Sequence, residues 1–165
     1  MSPKALTRDT LLTTLREQFE AAWTVSLPWR LAAEEDYRFV AGDQWDAKDR
    51  AALTAKDRPV LVFNEVLPQV DLVSGMARQS PLGYRAYPRG GEDHAVATIA
   101  TACLAYAMEQ TQGAQALYRG NDDGIISGRA WWEIGMDTDY TQDPLGDVYL
   151  GRVRPMAIVE DPGAE

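Results

Sequence analysis

A single cysteine, Cys103, and a single histidine, His94, are all that the 165 residues offer of the two side chains most used in metal and redox chemistry. One cysteine closes no intramolecular disulfide, and one Cys with one His makes no zinc ligand set. Long apolar runs are equally scarce. The longest, Ala95 to Met108, is interrupted by Thr98 and Thr101 and is too short to cross a bilayer. The opening Met-Ser-Pro-Lys-Ala-Leu-Thr-Arg-Asp has no apolar core, so it is not a secretory signal, and the chain reads as a cytoplasmic-type soluble protein with no membrane partner. No G-x-x-x-x-G-K-[ST] occurs, so Gly90-Gly91 is not a Walker phosphate cradle; G-x-G-x-x-G after a strand and G-x-S-x-G are missing too. Basic residues run short in the second part. Residues 1–90 balance 12 basic against 12 acidic side chains, whereas residues 91–165 hold 4 against 13 and carry the whole net charge of -9. That argues against a simple nucleic-acid-binding module, which neutralises phosphates with a basic face.

What is present is an ordinary globular composition, 45% hydrophobic and 25% charged, which excludes a disordered or low-complexity chain. The length suits one domain or part of one. Asp9 is a plausible N-cap for an amphipathic helix carrying Leu11, Leu12, Leu15, Phe19, Ala22 and Trp23 at three- and four-residue spacing. Pro28 is expected to break it, with a second helix from Trp29 to about Val40 whose Glu34, Glu35 and Asp36 form a solvated acidic stripe. Asp46 can cap a short helix to about Ala55. Pro59 to Phe63 reads as a short strand, and Asn64 as the N-cap of a helix to Gln79, irregular at its start because of Pro68. Ser80 to Gly91 reads as an extended segment and a turn. Glu92-Asp93 then opens what should be the longest helix, burying Val96, Ile99, Ala100, Cys103, Ala107 and Met108. A further helix covers about Ala114 to Ser127.

After Gly128 the period changes to two. Trp132, Ile134 and Met136 alternate with Trp131, Glu133 and Asp137 as in a half-buried strand. Asp143 to Gly146 reads as a turn, Asp147 to Arg154 as the return strand, Met156 to Val159 as a third strand, and Asp161-Pro162-Gly163 as the next turn. The expected class is α+β: a mostly helical segment, residues 1–127, followed by the start of an antiparallel β-meander, residues 128–165. A sheet that begins with nothing to cover it suggests a piece of something larger.

Few residues invite chemistry. His94 beside Asp93 sits at a helix start, where Asp93 has a capping or dipole role, and a triad needs geometry rather than adjacency. Asp137, Asp139 and Asp143 match positions 1, 3 and 7 of an EF-hand loop, but Gln142 stands where Gly is required and Val148 where a bidentate Glu belongs, so a solvated hairpin is the better reading. Asp122-Asp123 could meet a metal or Arg119, yet reads first as a polar helix face. Neither a catalytic set nor a cofactor or metal site is assigned. Arg78, Arg85 and Arg89, interleaved with Tyr84 and Tyr87, resemble a nucleic-acid grip only weakly. Ion pairing with the acidic second part, within or between subunits, is the preferred reading. An outward Trp from the Trp131-Trp132 pair would point to a subunit interface.

An ordered series of residues rises above this background. It runs Arg38-Phe39-x-x-Gly42-x-Gln44-Trp45, then Asp57-Arg58-Pro59-Val60-Leu61-Val62-Phe63-Asn64, then Val70-x-x-Val73-x-Gly75-x-x-Arg78-Gln79, then Pro88, Gly128-x-x-Trp131, Arg154-Pro155 and Asp161-Pro162. In order and spacing the series resembles the N-terminal part of the portal proteins of tailed bacteriophages, the short-tailed podovirus type in particular, from about Trp29 to Asp161. It departs at Ser80-Pro81, where an Asn-Arg-Pro-like run is expected.

The resemblance implies a structural, non-enzymatic virion protein, present in the bacterial host cytoplasm during assembly. It implies a homo-oligomer ring, usually a dodecamer, at one capsid vertex, with double-stranded DNA passing through the channel without sequence-specific binding. Partners implied are capsid, scaffold, terminase and tail proteins. Family members run to several hundred residues, so the resemblance also implies that these residues form an incomplete body or wing domain. The channel helix and terminase-facing clip are then expected elsewhere. An acidic surface would repel DNA rather than hold it, which suits a conduit. Two other readings are a standalone adaptor that binds a protein through its acidic half, and a small metal-dependent hydrolase using Asp137, Asp139, Asp143 or His94.

Overall fold

The structure, a computed structural model, describes residues 8–80, 82–91, 93–137 and 146–163. The apolar stripe of the first forty residues forms one continuous helix, α1 (Arg8–Val40), with Pro28 inside it. The expected break at Pro28 does not occur. Proline removes one backbone donor and crowds the preceding turn, at a cost of about 3 kcal/mol. The residues just beyond it are anchored elsewhere in the fold and hold the helix straight through: the Trp29 indole donates to Ser127 O at 2.9 Å and Arg30 reaches residues 156–158. Around the proline, Ser26 Oγ donates to Trp23 O and accepts from Arg30 Nε.

Helix α2 (Ala47–Ala55) begins at the expected cap, Asp46, whose carboxylate accepts from Lys48 N at 3.3 Å. Residues 59–63 are extended but pair with no strand. Their β-branched run satisfies the local preference, yet no sheet edge lies alongside to use it. Helix α3 (Val66–Gln79) starts two residues after Asn64, and the Asn64 side chain still accepts Leu67 N at 3.1 Å. Pro68 therefore falls in the first turn, where its missing N–H has no intrahelical partner to lose.

Helix α4 (His94–Gln110) is shorter than α1 and buries none of its residues: Val96 and Ile99 are each 64% exposed, and Cys103 is exposed as well. Asp93 does not cap it; its carboxylate accepts Gly90 N instead, closing the preceding turn. Helix α5 (Gly113–Ser127) is the hub of the fold, touching α1, α3, α4 and both strands. It stops at Gly128, whose φ of 75° is the left-handed cap conformation.

The polypeptide then forms an antiparallel hairpin of β1 (Trp131–Asp137) and β2 (Asp147–Val153), with Trp131 opposite Val153 and Asp137 opposite Asp147. The α+β class holds, with the helices first. The third strand expected over Met156 to Val159 is absent. A single 3₁₀ turn at Pro155–Ala157 takes its place, followed by extended backbone. Pro155 cannot donate to a ladder, and the carbonyls of Met156 and Ile158 are already engaged by Arg30. The Asp161 carboxylate accepts Gly163 N at 2.9 Å, so the expected closing turn is present. The turn at Asp143 and the Asp139 and Asp143 carboxylates lie outside the described residues.

Burial is the anomaly. Among the described residues only Ala22 and Ala33 form a buried aliphatic core, beside Pro155 in the 3₁₀ turn. The accessible surface is 13261 Å², against about 8,100 Å² for a compact folded chain of 18.3 kDa. Helices form here because their sequences are periodic, and α2 is capped as well; a hydrophobic core within this chain does not explain them.

Candidate functional site

Polar residues do the joining that a core would do in a compact domain. At the centre is Asp123 on α5, 3% exposed. Tyr37 Oη of α1 donates to its Oδ1 at 2.7 Å, and the Arg152 guanidinium of β2 grips both oxygens. Three elements distant in sequence thus close on one carboxylate. Burial above all, and then the bond to Asp123, pushes the Tyr37 phenol above its ordinary range; the same carboxylate raises Arg152. Next door, Asp122 accepts Ser74 Oγ and Arg78 Nη2 from α3, the latter at 2.8 Å, and Arg78 also lies 5.9 Å from the Tyr118 ring. The Asp pair of the sequence is therefore a structural junction whose partners are Arg152 and Arg78, not Arg119.

A second junction ties α1 to the end of the chain. Arg30, 6% exposed, donates to Met156 O at 2.6 Å and to Ile158 O, and stacks 4.3 Å over Trp23. Trp29 is bracketed by Ser127 O and by Arg129, 4.4 Å above its ring; Arg129 pairs in turn with Glu160. Sequence reasoning passed over Arg30, Tyr37 and Arg152. The available signal was Arg30 itself, an unbroken charge four residues after Ser26 on the same stripe as Trp23, Ala33 and Tyr37.

The residues that carried the portal resemblance gather in part at a third junction. Gly42 (φ 94°) turns the backbone after α1, and a Cβ there would lie 3.6 Å from Asn64. Asn64 Nδ2 donates to Val40 O at 2.7 Å, and Gln44 Nε2 donates to Asn64 Oδ1 at 3.2 Å. Trp45 Nε1 donates to Leu61 O, and Arg58 N to Leu53 O, which pins the segment holding Pro59. Asp43 in the same loop takes both Arg38 and Arg50, whose bonds hold its carboxyl below the usual carboxylate range. Gly75 sits half-buried on α3, Gly128 caps α5, and Trp131, half-buried, opens β1.

The three arginines proposed as an interface separate. Arg78 is used inside the chain, as above. Arg85 lies 5.6 Å from the Tyr87 ring, and neither Arg85 nor Arg89 has an ion pair among the described residues. Of the Trp pair, Trp132 lies against Gly120, donates to Ala116 O at 3.1 Å and remains 40% exposed, while Ile134 is 76% exposed. His94 and Asp93 are exposed at the start of α4, and no cluster suited to a metal ion occurs among the described residues. Among the described residues no helix is long and apolar enough to cross a membrane.

These arrangements hold a scaffold in shape and leave apolar faces outward. The family model described as phage P22-like portal protein matches residues 16–165. No curated protein matches the chain.

Proposed function

The chain belongs to the phage P22-like portal protein family, and on that premise we propose that it is a structural subunit of the portal ring through which DNA is packaged and ejected. The observation that carries this reading is the missing core: Leu, Ile, Val, Met and aromatic side chains on α1, α3, α4 and both strands are exposed, while the polar junctions between elements are complete among the described residues. Isolated monomers rarely show contiguous apolar surface on this scale, and obligate subunits bury it against neighbours. Residues 1–127 are the helical segment of the portal body or wing, and residues 128–165 the start of its antiparallel sheet. The acidic second part supplies a surface that lets DNA slide past. Capsid, scaffold, terminase and tail proteins are its partners in the virion and, during assembly, in the host cytoplasm. The family residues from Gly42 to Asn64 serve as an internal clasp.

Electron microscopy of the purified protein tests the reading. Closed rings with a central hole wide enough for a DNA duplex are expected, up to the dodecamer typical of portals. Discrete monomers, or aggregates without a closed form, would refute it.

A further inference from the structure

The cleft between the end of α1 and the start of α2 has an aromatic floor and a rim of one charge. Phe39 and Trp45 floor a space of about 760 Å³, and Glu34, Glu35, Asp46 and Asp49 line its sides. On α1 the lining positions 31, 34, 35, 38 and 39 recur at three- and four-residue spacing, so both glutamates share the face that looks into the cleft. The arginines at hand, Arg38 and Arg50, are both held on Asp43. The four rim carboxylates have no ion pair among the described residues. Phe39 is 41% exposed, so the floor is open to a partner.

The complementary surface lies on the extended segment between α3 and α4. There exposure alternates with the period of a strand: Arg85, Tyr87 and Arg89 are exposed, Ala86 and Pro88 half-buried. Ala86 N donates to Thr101 Oγ1 at 3.1 Å, which ties the segment to α4 and leaves the Arg-Tyr-Arg side chains outward. Tyr87 is 77% exposed, and neither arginine has an ion pair among the described residues. Within its own chain this strip is anchored away from the cleft. α4 meets α5 where Met108 lies against Gly113, about 15 Å along α5 from Asp123, which holds the cleft's α1 through Tyr37.

We propose that the Arg85–Tyr87–Arg89 strip of one copy of this chain docks in the α1–α2 cleft of the next. The guanidiniums enter among Glu34, Glu35, Asp46 and Asp49, and the Tyr87 ring lies on Phe39 and Trp45. Arginine suits both parts of the cleft, because its planar head pairs with carboxylates and stacks on aromatic faces. Opposed charge fixes which patch meets which. This rests on the reading of the chain as a ring subunit and specifies a contact within it. The two copies present different patches, so the contact propagates head to tail until a rotation closes it.

Sedimentation velocity of the whole chain and two charge-reversed variants tests this. Glu34→Lys with Glu35→Lys makes the cleft basic, and Arg85→Glu with Arg89→Glu makes the strip acidic; circular dichroism checks that both keep their helices. Each variant alone is expected to associate at least tenfold more weakly than wild type, because like charges then meet at every contact. An equimolar mixture is expected to recover association, since the basic cleft of one variant matches the acidic strip of the other and the unchanged patches match as before. Recovery also shows that both variants are folded. A wild type that assembles while either variant assembles equally well would overturn the strip-to-cleft contact and leave the subunit reading intact. So would two weakened variants that fail to rescue each other. A wild type that stays monomeric throughout would overturn both.

Discussion

Arg30→Met isolates the joint between α1 and the end of the chain. Arg30 is buried without a carboxylate partner among the described residues, and its charge is balanced by the Met156 and Ile158 carbonyls and the Trp23 ring. The hydrogen bonds to these two carbonyls, from a charged group, contribute about 3–6 kcal/mol together, and the bond from Nε to Ser26 Oγ, also lost, adds about 1 kcal/mol. Methionine retains the stem's packing but loses the cation–π contact, about 0.5–2 kcal/mol. Against this, the buried charge itself is removed, which returns a few kcal/mol of desolvation. The expected net loss is about 2–4 kcal/mol, a fall in Tm of roughly 5–15 °C for a chain of this size. Urea unfolding gives the first number, and hydrogen exchange gives the location: amides of residues 155–160 should exchange faster, with α2 unaffected. Arg30→Lys keeps the charge but presents no planar fork, so it should restore less than half of the loss. A methionine variant within 0.5 kcal/mol of wild type, with unchanged exchange at 155–160, would refute this account of why α1 runs through Pro28.

Asp123→Asn should cost about 1–3 kcal/mol, because the buried carboxylate that joins Tyr37 and Arg152 is lost while the partly exposed Arg152 can turn to water; chemical denaturation against wild type measures it. The Tyr37 phenol is raised from an ordinary value of 10.0 in the folded chain, so the folded state holds more protons than the unfolded state above about pH 10. Its stabilisation is complete below pH 10 and is lost as pH rises through the folded value. Denaturation midpoints from pH 8 to 11 should therefore fall more steeply for wild type than for Y37F. Asn64→Ala removes the cap of α3 and the tie to Val40 together, an expected loss of about 1–2 kcal/mol by thermal unfolding. Gly120→Ala would place a Cβ within 2.7 Å of Trp132 Cζ2 and should displace the hairpin from α5 at a cost of about 1–3 kcal/mol, largely relieved in the double variant with Trp132→Ala.

Local signals in the sequence were read correctly where local physics decides. Asp46 caps α2, Gly128 ends α5, Asn64 accepts from the first turn of α3, and the period-two run after Gly128 is a strand. The errors share one cause, the influence of distant residues. Pro28 penalises a helix locally, but Ser127 and residues 156–158 hold the following turn in place from 98 to 128 residues away. Pro59 to Phe63 and Met156 to Val159 have strand-like composition, but a strand needs an edge to pair with, and neither has one. The apolar period of α4 predicts burial, yet the helix buries none of its residues: periodicity records that a face seeks a partner, not that the same chain provides it. The Tyr37–Asp123–Arg152 junction joins residues 86 and 29 positions apart in sequence and leaves no local trace. The portal family was legible for a different reason: its Gly42, Gln44, Trp45 and Asn64 form one clasp, so their spacing is fixed by geometry.

In the proposed ring, copies of this chain cover one another's exposed apolar faces. Native mass spectrometry of the purified protein over a range of concentrations addresses it most directly. A closed homo-oligomer of one stoichiometry, persisting on dilution, is the predicted result. A monomer that remains the sole species at the highest concentration reached would contradict it.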